Sequence, residues 1–252
     1  MQLFQLDVLG YWGAYPEAAE ATAGYLLTTD GGRYLIDCGS GVLSQLYRYC
    51  RVEDLTAVLL SHCHPDHAAD MGVLGHAALL AGMTGARETS LPVYHAAAPS
   101  ALIKHWSQDP WLSFHPVGDG DEMIVGDVRV RFRQTIHPVE CLSMRITHGE
   151  KVFAYSADSA LCDSLLEQAA DADLFLCEAS MYASQEDLAR RVGHLTSTQC
   201  GELARDARVK QLAVIHLPHE GDLDVLTTEV EAAFGRRVVR VGTGTRLSIG
   251  QR

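Results

Sequence analysis

Residues 59–67 read Leu-Leu-Ser-His-Cys-His-Pro-Asp-His. Three histidines and one aspartate fall within the six positions 62–67, directly after an apolar run. A strand that ends in a loop exposes its next side chains at the sheet edge, where α/β sites tend to lie. His62 and His64, two apart, can point the same way. Asp66 and His67 follow on the turn into a helix and can face a second point nearby. Imidazole together with carboxylate suits zinc or a similar divalent cation. With 12 histidines in 252 residues, chance clustering on this scale is improbable.

Four such residues do not close two sites, so further ligands are expected at other strand ends. Thr135-Ile136-His137-Pro138 ends a long β run. Ala154-Tyr155-Ser156-Ala157-Asp158 ends the next hairpin, and Ala213-Val214-Ile215-His216 ends a late strand. Each puts one ligand-type residue after an apolar run. The plain alternative for each is a polar cap on a strand.

The elements that must position these groups follow from hydrophobic periodicity. Strands are expected at 3–9, Gly24–Thr29, 34–36, Ala57–Leu60 and 92–94. Helices are expected at 41–49, 66–80 and 99–106. From Ile124 the texture turns to β. Residues 128–136 alternate apolar with Arg and Gln, as a half-exposed strand does. Segments 142–147 and 152–155 form a hairpin around His148-Gly149-Glu150-Lys151. Helices at 161–170, 196–207 and 224–234 alternate with strands at 173–177, Leu212–Ile215, 237–241 and 246–249. Thr196 and Gln199 have capping-box spacing. No Pro-, Gly- or Ser-rich linker divides the chain, so one domain over 1–252 is expected, built as two αβ halves packed sheet to sheet.

Composition bounds the partners. Hydrophobic residues are 47% and charged residues 21%, in the usual soluble range. With 20 Lys+Arg against 32 Asp+Glu the formal charge is -12. Lys and Arg supply most non-specific affinity for polyanions, so a long nucleic acid is not the expected partner. No segment has the length of an apolar membrane span. The N-terminus lacks the basic and apolar regions of a signal peptide. The seven cysteines are odd in number, spread out and free of C-x-x-C, as expected for reduced thiols in the cytoplasm.

The pattern His62-x-His64-x-Asp66-His67, followed in order by His137, Asp158 and His216, resembles the metallo-β-lactamase superfamily over the whole chain. The resemblance implies an α/β fold, a four-layer αββα sandwich with a dinuclear site between its sheets. Carried over by position, His62, His64 and His137 hold one divalent ion. Asp66, His67 and His216 hold the other, and Asp158 bridges them. Two zinc ions are expected, with manganese as the other candidate. A water between such metals ionises near neutral pH.

Two further segments resemble the ribonuclease Z branch: Gly193-His194-Leu195-Thr196 and Leu176-Cys177-Glu178-Ala179. There a His paired with a Glu protonates the leaving alkoxide, so the catalytic candidates are His194, Glu178 and Asp66, the last as base or ligand. General acid catalysis is worth about 10²–10⁴-fold. An ordinary loop His and an ordinary ion pair are the plain alternatives. The helix after Thr196 offers backbone N–H groups to a phosphate. Asp37-Cys38-Gly39-Ser40-Gly41 also resembles this branch, its glycines letting backbone approach the metals. The aromatic loop 10–16 is either a packed loop or a pocket wall able to stack a base. His219 is expected as a solvated loop His, and Cys63 as a small filler.

The chain departs from ribonuclease Z in lacking the arm that grips tRNA: only 21 positions separate His137 from Asp158, and they already form a hairpin. Arg129, Arg131 and Arg133 are three charges in an acidic protein. The expected activity is a metal-dependent phosphodiesterase of a small or cyclic phosphodiester or nucleotide. A lactonase or thioester hydrolase with the same metal site, and a 3′-tRNA-processing endoribonuclease, are the alternatives. A homodimer is implied by the resemblance alone.

Overall fold

A computed structural model describes residues 2–250, so Met1, Gln251 and Arg252 of the expected 1–252 span lie outside the described residues. Strands β1 (Phe4–Gly10), β2 (Gly24–Thr29), β3 (Arg33–Ile36), β4 (Ala57–Leu60), β5 (Leu91–Ala96) and β6 (Leu112–Val117) come first. They are followed by β7 (Glu122–Val125), β8 (Val128–Gln134), β9 (Leu142–His148), β10 (Lys151–Tyr155), β11 (Leu174–Glu178), β12 (Leu212–Ile215), β13 (Val239–Arg240) and β14 (Arg246–Ser248). Two mixed sheets result, ordered β14-β1-β2-β3-β4-β5-β6 and β13-β12-β11-β10-β9-β8-β7.

Helices α1 (Val42–Leu46), α2 (Pro65–Ala68), α3 (Met71–Met83) and α4 (Ala101–Trp106) belong to the first half. Helices α5 (Asp163–Ala169), α6 (Glu186–Val192), α7 (Ser197–Asp206) and α8 (Leu223–Phe234) belong to the second. The architecture is the expected αββα sandwich.

Strand alternation sorts the core. Tyr25, Leu27, Tyr34, Ile36 and Leu59 join Phe132, Met144, Phe153 and Tyr155 between the sheets. The intervening Leu26, Leu35, Val58 and Leu60 pack outward with Val42, Met71, Leu74 and Ala78 of α1 and α3. Burial on both faces is why β4 reads as an unbroken apolar run. On β8, Val128, Val130 and Phe132 face inward and the three arginines outward.

The parallel strands bring their C-terminal ends to one edge. β10, β11 and β12 are parallel, with Tyr155 opposite Leu176 and Leu176 opposite Ala213. Asp158, Glu178 and His216 therefore emerge side by side. β3 and β4 are parallel too, with Ile36 opposite Leu59, which places Asp37 beside Ser61 and His62.

Three expectations are corrected. The single helix over 66–80 is two, α2 and α3. The Asp70 amide bonds to Cys38 O at 3.0 Å and the Cys38 amide to His67 O at 2.7 Å, so the β3–α1 loop takes groups a continuous helix would use. β6 was not anticipated; it is an edge strand, where its Pro116 is tolerated. The charged helix α6 was also missed, although Glu186 and Asp187 in its first turn, Arg190 and Arg191 in its last and Gly193 as left-handed cap are ordinary helix signals. All seven cysteines are free thiols, and among the described residues no helix is long and apolar enough to cross a membrane.

Candidate metal centre

The sandwich edge gathers all seven expected ligand residues into two adjoining groups. His62, His64, His137 and Asp158 bring ligand atoms within 4.8 Å of one another, and so do Asp66, His67, Asp158 and His216. In the first group His64 Nδ1 lies 3.1 Å from His62 Nε2 and 3.0 Å from His137 Nε2. In the second, His216 Nε2 lies 3.1 Å from Asp66 Oδ2. Asp158 faces both: its Oδ2 is 3.7 Å from His62 Nε2 and 3.3 Å from His216 Nε2, and its Oδ1 is 3.3 Å from His67 Nε2.

Partners outside the cluster decide which nitrogen each ring turns inward. His137 Nδ1 donates to Gly193 O at 3.0 Å, so its Nε2 carries a lone pair. His67 Nδ1 donates to Asp37 Oδ2 at 2.8 Å. Asp37 also accepts from the Ser61 amide, the Ser61 hydroxyl and the Tyr155 hydroxyl, at 2.7, 2.8 and 2.6 Å. The Ser61 proton is thereby used, so Ser61 Oγ accepts from His62 Nδ1 at 3.0 Å. The second half repeats this. Ser180 donates to Glu178 Oε2 at 2.5 Å and accepts from His216 Nδ1 at 2.7 Å. His62, His137 and His216 thus direct Nε2 lone pairs at the cluster and His67 turns its Nε2 toward it, the arrangement in which outer carboxylates orient metal-binding rings.

The residues fit divalent cations. His67 Nε2 is buried without a hydrogen-bond partner, although Nδ1 is satisfied. Burial, the largest influence, pushes His62 well below the ordinary imidazole range and lowers His64 and His137. Neutral imidazole is the form that binds metal. His67 moves the other way: burial opposes its charge, but Asp158 and Asp37 raise it well above that range. Burial likewise opposes the charge on Asp158, yet the surrounding histidines hold its carboxyl well below the usual carboxylate range. Buried anions that retain a proton on a neighbouring ring mark a place that demands positive charge.

The local backbone is bent to aim these groups. Asp37, Ala157 and His216 adopt left-handed conformations with φ 54°, 51° and 51°, as does Ala14 at 60°. Non-glycine residues in this region are held there by surrounding structure and gather at functional sites. The Ala14 amide donates to Asp66 Oδ2 at 2.9 Å. Gly39 answers to the protein, not to the metals: a Cβ there would meet Asp66 O at 2.0 Å and Thr22 Oγ1 at 2.2 Å. Asp37 is the functional residue whose role the sequence reading missed; the signal was its place at a strand end, parallel to the one that carries His62.

His194 stands against the cluster. Its Nδ1 lies 3.2 and 3.1 Å from the two oxygens of the fully buried Glu178. Its ring stacks on His216 at 5.2 Å between centroids and meets His137 edge-on at 5.3 Å. Burial works against a charged ring, but the Glu178 charge and hydrogen bond prevail and raise His194 to about 9. Glu178 is further held by the Ser159 amide at 2.7 Å.

Other expectations are amended. Two of the first amides of α7 are engaged internally, Ser197 N with Met181 O at 2.8 Å and Gln199 N with Thr196 Oγ1 at 3.2 Å, which leaves fewer N–H groups for a phosphate than expected. His219 is not a solvated loop residue: it stacks between Trp12 and Tyr15 at centroid distances of 4.7 and 3.7 Å. Loop 10–16 is therefore a wall of the site, with Gly13, Ala14 and Tyr15 lining the cavity beside His194. Arg129, Arg131 and Arg133 are each paired within the sheet surface, with Glu122, with Gln168, and with Asp119 and Glu167.

Comparison with known proteins fits this geometry. The model of the beta-lactamase superfamily domain matches residues 32–217. The chain belongs to the beta-lactamase superfamily. It is 38% identical over 237 residues to the probable metallo-hydrolase YhfI of Bacillus subtilis, covering 93% of this chain and 95% of that one. The crystal structure of YhfI superposes with a TM-score of 0.93 at 35% identity, over 98% and 99% of the two chains. A ribonuclease Z of Thermobifida fusca is 24% identical over 316 residues, covering 100% and 96%. A diphosphatase of the PhnP family shares the fold, with a TM-score of 0.76 at 17% identity over 98% and 97%. Superfamily membership and the His/Asp cluster together support a metal-dependent hydrolase.

Proposed function

We propose that the protein is a dinuclear phosphodiesterase acting on a small or cyclic phosphodiester. The observation that carries this reading is the His194–Glu178 pair set against the His/Asp cluster. Hydrolysis of an alkyl diester must protonate a poor leaving group, and a positioned imidazolium supplies that proton. Acyl transfer at a lactone has no such need. His62, His64 and His137 would hold one cation, Asp66, His67 and His216 the other, with Asp158 between them. Two divalent cations, zinc by the imidazole-rich donor set, would supply Lewis acidity toward the phosphoryl oxygens and an acidified water.

The chain's own groups do the rest. Glu178 keeps His194 charged and fixes its ring, so that Nε2 carries the proton for the leaving oxygen. The Ala14 amide holds Asp66 in place. With its outward arginines paired and a charge of -12, the surface favours a small anion over a long nucleic acid.

The test is turnover of bis(p-nitrophenyl) phosphate by protein loaded with zinc or manganese. Turnover is the expected result. Its absence with both metals, together with turnover of a lactone, overturns the reading.

A further inference from the structure

Beside His194 lies a cavity of about 550 Å3 that His194 and His216 line but the other cluster residues do not. Its apolar walls are Tyr15, Met181, Tyr182, Leu188, Leu217 and Pro218. Both tyrosines are fixed before any ligand arrives. Tyr15 lies flat on His219, 4° from parallel. His219 is itself tied to Glu17 Oε1 at 3.0 Å and to the carbonyls of Gly13 and Tyr15 at 3.0 and 2.8 Å. The Tyr182 hydroxyl donates to Glu220 O at 3.1 Å, and Gly221 leaves room for that ring: a Cβ there would meet the hydroxyl oxygen at 2.4 Å. Among the described residues no lysine or arginine lines the cavity, and the exposed Glu220 is its one acidic lining residue.

We propose that this cavity is the leaving-group pocket and that it takes a flat heteroaromatic ring, making the substrate a nucleotide diester, open or cyclic, with a single phosphate. The proposal rests on the phosphodiesterase reading, because only the acid role of His194 makes its neighbouring cavity the leaving-group side. The volume is that of small-ligand sites. Fixed aromatic walls favour a planar ring, which loses little freedom on stacking. Gln185 accepts the Tyr182 amide with Oε1 at 2.9 Å, so its Nε2 is the group left to donate to a ligand. A base returns a hydrogen bond to Gln185, whereas an acyl chain would desolvate that amide for nothing. A second phosphate would meet a described lining that holds the acidic Glu220 and no lysine or arginine.

The test is calorimetric titration of the metal-loaded protein with adenosine 5′-monophosphate, ribose 5-phosphate and inorganic phosphate. The nucleotide should bind about tenfold or more tighter than ribose 5-phosphate. Tyr182→Ala and the exposed-site variant Tyr15→Ala should each shrink that gap several-fold while leaving ribose 5-phosphate affinity unchanged. Equal binding of nucleotide and ribose 5-phosphate overturns the pocket and leaves the phosphodiester reading standing. So does a gap that survives both substitutions. Binding of an acyl lactone with no binding of any phosphate compound overturns both.

Discussion

Glu178 reaches His216 through a single hydroxyl: Ser180 donates to Glu178 Oε2 at 2.5 Å and accepts from His216 Nδ1 at 2.7 Å. One carboxylate thereby charges the His194 ring and sets the tautomer of His216. Asp37 does the same in the other half, acting on His67 directly and on His62 through Ser61. Removing the relay oxygen should therefore weaken metal binding without touching a ligand. Ser180→Ala is expected to lower zinc affinity about 10–100-fold, and Asp37→Asn at least as much. Zinc calorimetry on variants with native circular dichroism checks this; unchanged affinity would refute the relay.

The pH profile should report the His194–Glu178 pair. His194 is raised from 6.5 to about 9, so the acid form prevails below that value and is lost as pH rises through it. The alkaline limb of kcat/KM is expected there. Glu178→Gln removes the charge that raises the ring, so the limb should move to lower pH. His194→Ala should cost about 10²–10⁴-fold on an alkyl diester and far less on a nitrophenyl diester, whose leaving group needs no acid. Equal losses on both substrates count against the acid role.

Zinc loading near neutral pH should release protons. His67 is raised well above the imidazole range, and a cation on its Nε2 must displace the proton held there. Calorimetry in buffers of different ionisation enthalpy measures this directly, with about one proton per chain expected from this ring. His67→Ala should abolish that release.

Gly39 and Gly72 make opposite predictions for the same substitution. An Ala at Gly39 would drive its Cβ into the Asp66 carbonyl, and overpacking of about 1–3 kcal/mol lowers Tm by about 2–12 °C for a chain of this size. Gly72 sits exposed in α3 with its nearest contact at 3.6 Å, so Gly72→Ala should raise Tm slightly by improving helix propensity. Thermal melts of the two variants decide it.

Much of this site was legible before any coordinates. The apolar runs before His62, His137, Asp158 and His216 marked strand ends, and side chains after parallel strands emerge at a common edge. The capping box at Thr196 was equally local and is present. What could not be read were contacts between segments distant in sequence. The break between α2 and α3 depends on Cys38, the role of Asp37 on Ser61, His67 and Tyr155, and the stacking of His219 on Trp12 and Tyr15, some 200 residues earlier.

The sequence by itself determined which residues carry the chemistry and in what kind of element they sit, because periodicity and ligand types are properties of short segments. Only the tertiary structure decided which nitrogen of each ring faces the centre and what walls the pocket beside His194. Those depend on the register of strands and the close approach of loops, and neither is written in any one stretch of chain.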